Sequence, residues 1–103
     1  MPEFKATEDG GLAIDGKPVI KAWESFSGWY WFGFEIAETR TPGQDGGGSM
    51  IDGREVPDVI WFGLVQGFEE ELGYFSEAEL KAAGSRVWQI KPQDLPYAGR
   101  RRD

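Results

Sequence analysis

The densest group of chemically capable side chains is Glu69-Glu70-Glu71. Paired carboxylates can exchange protons with a substrate or hold a hard cation through oxygen. Successive strand residues alternate sides, so at most two of these three share a face. A magnesium site would need further oxygens from Asp52 or Asp58, yet nothing in the spacing singles them out and no EF-hand phrase occurs. A solvated turn accounts for the run as it stands. Nucleophilic chemistry has less to work with. Ser25, Ser27, Ser49, Ser76 and Ser85 are present, but the chain has no histidine to activate them. Lys21 or Lys81 could serve a serine as base, although no motif supports such a pair. Cysteine is absent too, which removes thiolate ligands, thiol nucleophiles and disulfides together. The chain is therefore expected to be no enzyme and to carry no cofactor or metal.

Aromatic side chains are the more prominent feature. Trp23, Phe26, Trp29, Tyr30, Trp31, Phe32, Phe34, Trp61, Phe62 and Trp88 crowd into four predicted strands. Most are needed to fill the core of a small sheet. Trp29 and Trp31 oppose the Tyr30, Phe32 and Phe34 face, and only one short helix is in view to cover them. Trp29, Trp31 and Trp61, with Glu69, Glu70 and Glu71, are thus the expected interaction surface, an exposed aromatic patch beside acidic residues.

The elements that must position these residues are short. Val19 to Phe26 reads as a strand after Pro18, where no ladder N–H is needed. Trp29 to Arg40 is the clearest strand, with Tyr30, Phe32, Phe34 and Ile36 at period two on one core-facing side. Val59 to Gln66 is apolar on both sides, as a central strand would be. Glu69 to Phe75 gives another strand. Ser76-Glu77-Ala78-Glu79 is a capping box that opens a helix over 77–83, stopped by Gly84. Arg86 to Ile90 is the last strand. Asp15-Gly16 and Asp52-Gly53, each flanked by apolar residues, predict tight turns of type I′.

The expected fold is α+β: a mostly antiparallel sheet of four to five strands with one short helix, about 76–83, packed on it. The 103 residues suffice for one domain. Residues 1–10 are expected to be a flexible N-terminus, 11–97 the domain with a glycine-rich loop at 41–49, and 98–103 a basic tail. The triple glycine of that loop lacks the lysine and strand-to-helix context of a phosphate-binding loop.

Charge narrows the partner. The chain carries 11 basic and 18 acidic residues, a net charge of −7. Arg100, Arg101 and Arg102 supply three of the basic ones and Asp103 one acidic, so residues 1–99 hold 8 against 17. Such a body repels phosphate backbones and anionic lipid, and it suits a partner with a basic surface. Solubility alone, or a salt-adapted source, would give the same bias. No charged-then-apolar leader opens the chain and no apolar run of about eighteen residues occurs, so a cytoplasmic protein is expected.

Several phrases also form a familiar series. They are Pro18-Val19-Ile20-Lys21, Trp29-Tyr30-Trp31 with Glu35 and Glu38, Pro57-Asp58, Phe62-Gly63-Leu64, and the run Glu71-Leu72-Gly73-Tyr74-Phe75-Ser76-Glu77-Ala78-Glu79-Leu80. Over roughly residues 17–97 the chain resembles the bacterial domain-of-unknown-function family two-nine-five-eight. Its glycine loop at 43–48 and its Trp-rich second strand depart from that pattern. The family brings no catalytic residue with it. The resemblance implies an accessory protein of a phage, plasmid or other mobile element.

Together these readings lead to a small acidic, non-enzymatic interaction domain that binds a host or mobile-element protein, for instance a defence nuclease inhibited by mimicry of nucleic-acid charge. One alternative is single-stranded nucleic-acid binding through the Trp face and the Arg tail, which the negative body disfavours. Another is a metal-dependent hydrolase built on Glu69–Glu71 with Asp52 or Asp58. A homodimer through an open sheet edge is a further possibility.

Overall fold

The computed structural model describes residues 2–44 and 46–95. In chain order the elements are β1 (Phe4–Ala6), β2 (Leu12–Ile14), β3 (Lys17–Pro18), β4 (Lys21–Ser25), β5 (Tyr30–Arg40), β6 (Ser49–Ile51), β7 (Arg54–Val56), β8 (Asp58–Gln66), β9 (Glu70–Ser76), α1 (Glu77–Ala82) and β10 (Val87–Ile90). Short 3₁₀ turns follow α1 at Gly84–Arg86 and follow β10 at Pro92–Asp94. The main sheet has five strands in the order β10-β4-β5-β8-β9, and every pairing in it is antiparallel. The α+β expectation therefore holds in outline. It is corrected in sheet count: β1-β2-β3 form a second sheet, and β6-β7 a separate hairpin.

The two aspartate–glycine phrases explain those smaller sheets. Asp15 and Gly16 have φ of 50° and 81°, and Asp52 and Gly53 have 51° and 77°. Both pairs lie in the left-handed region that a type I′ turn demands. Ile14 then faces Lys17, and Ile51 faces Arg54, across two-residue loops.

The main sheet is covered on both sides, by different means. On one face Ala22, Phe32, Phe34 and Leu64 are buried together with Leu12, Ile14, Val19 and Leu95. The cover here is the small sheet, with Leu95 from the chain after β10. Within the segment expected to be a flexible N-terminus, β1 pairs with β2, and Phe4 meets the edge of Phe32 at 5.8 Å between centroids. A lone apolar residue in a polar segment was enough to anchor it, because period-two burial needs only alternate side chains.

On the opposite face Trp23, Trp61 and Leu80 form the second core cluster, with Trp31, Val59, Phe75 and Val87 against it. Leu80 belongs to α1, so the helix packs on the sheet as its shortness requires. Its cap is as read: the Ser76 side chain accepts from the Glu79 N–H at 3.1 Å. Gly84 has φ of 66° one residue beyond the C-cap, Ala83.

The period-two stripe of β5 does not run its full length. The pairing of β5 with β8 shifts between Gly33 and Glu35 and again between Ile36 and Glu38. Each β-bulge places two residues opposite one and moves the following side chains to the other face. Ile36 therefore sits opposite Trp61 and is exposed, instead of continuing the Tyr30-Phe32-Phe34 stripe. The cross-strand pair Gly33–Gly63 lies beside the first bulge. A Cβ on Gly33 would lie 2.6 Å from the Trp61 ring, so the indole lies flat across a strand that has no side chain there.

Candidate functional site

The turns β4–β5 and β8–β9 close at the same end of the main sheet, because Tyr30 pairs with Gln66 and Glu24 pairs with Tyr30. Residues 25–29 make the first turn. Its geometry is set by Ser25, whose Oγ accepts from the Trp29 N–H at 3.1 Å and exchanges a 2.8 Å hydrogen bond with the Ser27 hydroxyl. The Phe26 N–H donates to the carbonyl of Arg86, which ties this turn to the edge strand β10. Residues 67–69 make the second turn, with the Gly67 N–H donating to the Glu69 carbonyl.

Aromatic rings gather here. Trp29 lies 6.0 Å from Trp31 and takes Phe68 edge-on at 5.3 Å. Gly67 makes this possible, since a Cβ there would meet the Trp29 ring at 2.5 Å. Trp29 and Trp31 are half-buried, whereas Phe68 is 94% exposed and Phe26, in the neighbouring turn, 73%. Glu69 and Glu71 are exposed beside Phe68, and Glu70 accepts from Gln66 Nε2 at 2.6 Å. Glu24 accepts from the Tyr30 hydroxyl at 3.0 Å, and burial with this bond raises the Tyr30 pKa. Arg86 lies at this end, across the sheet from the glutamates.

Five of the six residues expected to form the interaction surface, Trp29, Trp31, Glu69, Glu70 and Glu71, are therefore brought to one end. Trp61 is not among them. It is 4% exposed in the helix-side core and donates its indole N–H to Glu77 at 2.9 Å. Central β8 is covered on both faces, and an indole on its helix side is sealed by Leu80 of α1. Phe68 and Phe26 were missed as site residues. The available signal was an isolated aromatic inside a turn phrase, Gly67-Phe68-Glu69 and Phe26-Ser27-Gly28, where no core can receive it.

The other end of β8 holds the buried carboxylates. Asp58 is 4% exposed and accepts four hydrogen bonds: from Ser49 Oγ at 2.6 Å, Ser76 Oγ at 2.5 Å, the Ala78 N–H at 2.8 Å and its neighbour Val59 N–H at 2.7 Å. Burial raises its pKa, but the two hydroxyls and two amides outweigh that and hold it below the ordinary carboxylate value. Glu77 is 7% exposed, bonded to Trp61 and, at 2.9 Å, to Lys21, with Lys81 at 3.6 Å. Burial again opposes and these donors again prevail, leaving its pKa lowered. A groove of about 580 Å³ lies beside them, lined by Arg40, Ile51, Val56, Val59, Ala78 and Lys81 among others. Asp58 thus joins β8 to the β6–β7 hairpin and α1, and Glu77 joins α1 to β8 and β4.

The proposed metal set does not assemble. Asp58 is the first residue of β8 and Glu69 lies past its last, so the length of a nine-residue strand, about 25–30 Å, separates them. Asp52 is in the β6–β7 turn. Among the described residues no group of three or more Asp or Glu side chains is placed to hold a metal ion. The Arg tail, 98–103, lies outside the described residues. Among the described residues no helix is long and apolar enough to cross a membrane.

No protein-family model, curated protein or solved structure matches the chain. The resemblance to family two-nine-five-eight accordingly rests on the sequence phrases alone.

Proposed function

We propose that the chain is a non-enzymatic protein-docking domain whose binding end is the Phe26, Trp29, Trp31 and Phe68 cluster rimmed by Glu69 and Glu71. The observation that carries this is Phe68: a ring 94% exposed and yet held edge-on against Trp29, with carboxylates beside it. Large side chains fixed in place but left wet are the anchors of interfaces, and a charged rim selects the partner's sign. A body at −7 favours a partner with a basic surface. On the sequence resemblance, such a domain serves a phage or plasmid, and a host nuclease with a basic substrate face is a partner it could block by charge mimicry.

The test is capture by the full-length protein at low and moderate salt, against a Phe26→Ala/Phe68→Ala double variant with an unchanged melting temperature. A species retained by the natural chain, lost with the variant and weakened by salt is expected. Equal retention by both proteins, or none at low salt, defeats the reading.

A further inference from the structure

One strand that reaches that docking end, β9, is also an edge of the main sheet: among the described residues no strand lies beyond it. We infer that β9 accepts an extended basic segment of the partner as an added antiparallel strand. The inference rests on the docking reading and names the form the partner takes.

An edge strand presents a row of unpaired N–H and C=O groups, which native proteins ordinarily shield with lysines, prolines or a covering element. Among the described residues no strand covers β9, and its charges, Glu70 and Glu71, stand together at one end. Its seven residues, Glu70–Ser76, include no Lys, Arg or Pro. Leu72 is 62% and Tyr74 70% exposed on one face, and on the other a Cβ built at Gly73 would touch nothing within 4 Å. The face of Leu72 continues into a groove of about 580 Å³ lined by Ile14, Lys17, Phe34, Leu64, Glu70 and Leu72 among others. An added strand would send alternate side chains into that groove, the arrangement by which strand addition gains specificity.

Charge decides the occupant. The end of β9 carries Glu70 and Glu71, with Glu69 just before it. Lys17, the cation in the groove, is engaged over the Phe34 and Phe62 rings. A second copy of the chain fits poorly. Self-pairing about Gly73 sets Glu71 opposite Phe75 and Glu70 opposite Ser76, gives neither glutamate a cation, and joins two bodies that each carry −7. A basic segment satisfies both. In the antiparallel direction it needs an apolar residue opposite Tyr74, any residue opposite Gly73, an apolar residue opposite Leu72, and Lys or Arg opposite Glu71 and Glu70.

The experiment uses the full chain and a synthetic probe, acetyl-Thr-Val-Ser-Val-Lys-Lys-Thr-amide, with two further versions N-methylated at alternate amides in the two possible phases. Only one phase removes hydrogen bonds to the edge. The expected result is slowed amide exchange confined to alternate residues of 70–76, affinity at least tenfold weaker for one methylated phase and unchanged for the other. Glu71→Lys should weaken the probe about tenfold, and a probe with Glu in place of only the lysine opposite residue 71 should recover that loss. Equal binding by both methylated probes, or no binding at low salt, overturns strand addition. So does protection of β9 in the absence of probe, accompanied by dimer in sedimentation. If the probe instead shifts only Trp29 and Phe68 resonances, strand addition fails while the docking reading stands.

Discussion

The two ends of β8 use the same side-chain types to opposite effect. At its start, Trp61 and Glu77 meet inside the protein, and Asp58 collects four donors within the junction of hairpin, strand and helix. Every donor and acceptor there is matched, as buried polar groups require. Beyond its last residue, Trp29 and Phe68 meet at the surface and the glutamates beside them face water. Indole and carboxylate are structural where α1 covers them and available where nothing does. Residue type therefore says little about role in this chain; what lies over the side chain says most.

The comparison breaks most visibly at Trp61. Trp61→Ala empties the helix-side core and strips Glu77 of a donor, so a loss of about 3–5 kcal/mol is expected in denaturant unfolding. Glycines give the next pair. A Cβ at Gly63 would lie 1.8 Å from the Phe32 carbonyl oxygen, an atom of the neighbouring backbone, whereas the atoms nearest one at Gly67 belong to the Trp29 ring. Gly63→Ala should cost about 1–3 kcal/mol or more through overpacking. Gly67→Ala should cost clearly less, because Trp29 can swing away, but it should alter tryptophan fluorescence and weaken docking.

Acid sharpens the contrast further. Asp58 and Glu77 both have folded pKa values below their ordinary ones, which are about 4. Their stabilisation is thus complete above that range and is lost as pH falls through it toward the folded values. Asp58→Asn removes one of the two contributions and leaves buried donors poorly matched, for about 1–3 kcal/mol at pH 7. The gap between the natural chain and Asp58→Asn should stay constant from about pH 7 to 5 and narrow by pH 3 in urea titrations. A gap independent of pH would mean that the Asp58 carboxylate does not hold this junction.

How much of this was legible beforehand follows the reach of each signal. The two aspartate–glycine turns, the serine cap and the central position of Val59 to Gln66 depend on neighbours in sequence, and all were readable. The bulges in β5 were not, because Phe34 and Glu35 look like any other alternating pair until β8 is laid beside them. The role of Trp61 was hidden for a similar reason: Gly33 and Leu80, which help make its slot, come from two other elements. The docking end was half visible. Trp29, Trp31 and Glu69–Glu71 stood out by composition, while Phe68 acquired meaning only once two hairpin turns were seen to close side by side.

The smallest expected change in stability is the most telling about function. Phe68→Ala removes a ring that is almost wholly in water, so unfolding should move by no more than about 0.5 kcal/mol. A ring kept for the core would not be dispensable in this way. If the same substitution lowers affinity for a basic partner at least tenfold, about 1.4 kcal/mol, the residue contributes to binding what it withholds from folding. A large loss of stability with unchanged affinity would assign Phe68 to holding Trp29 in place, and would return this end of the sheet to the same structural class as the other.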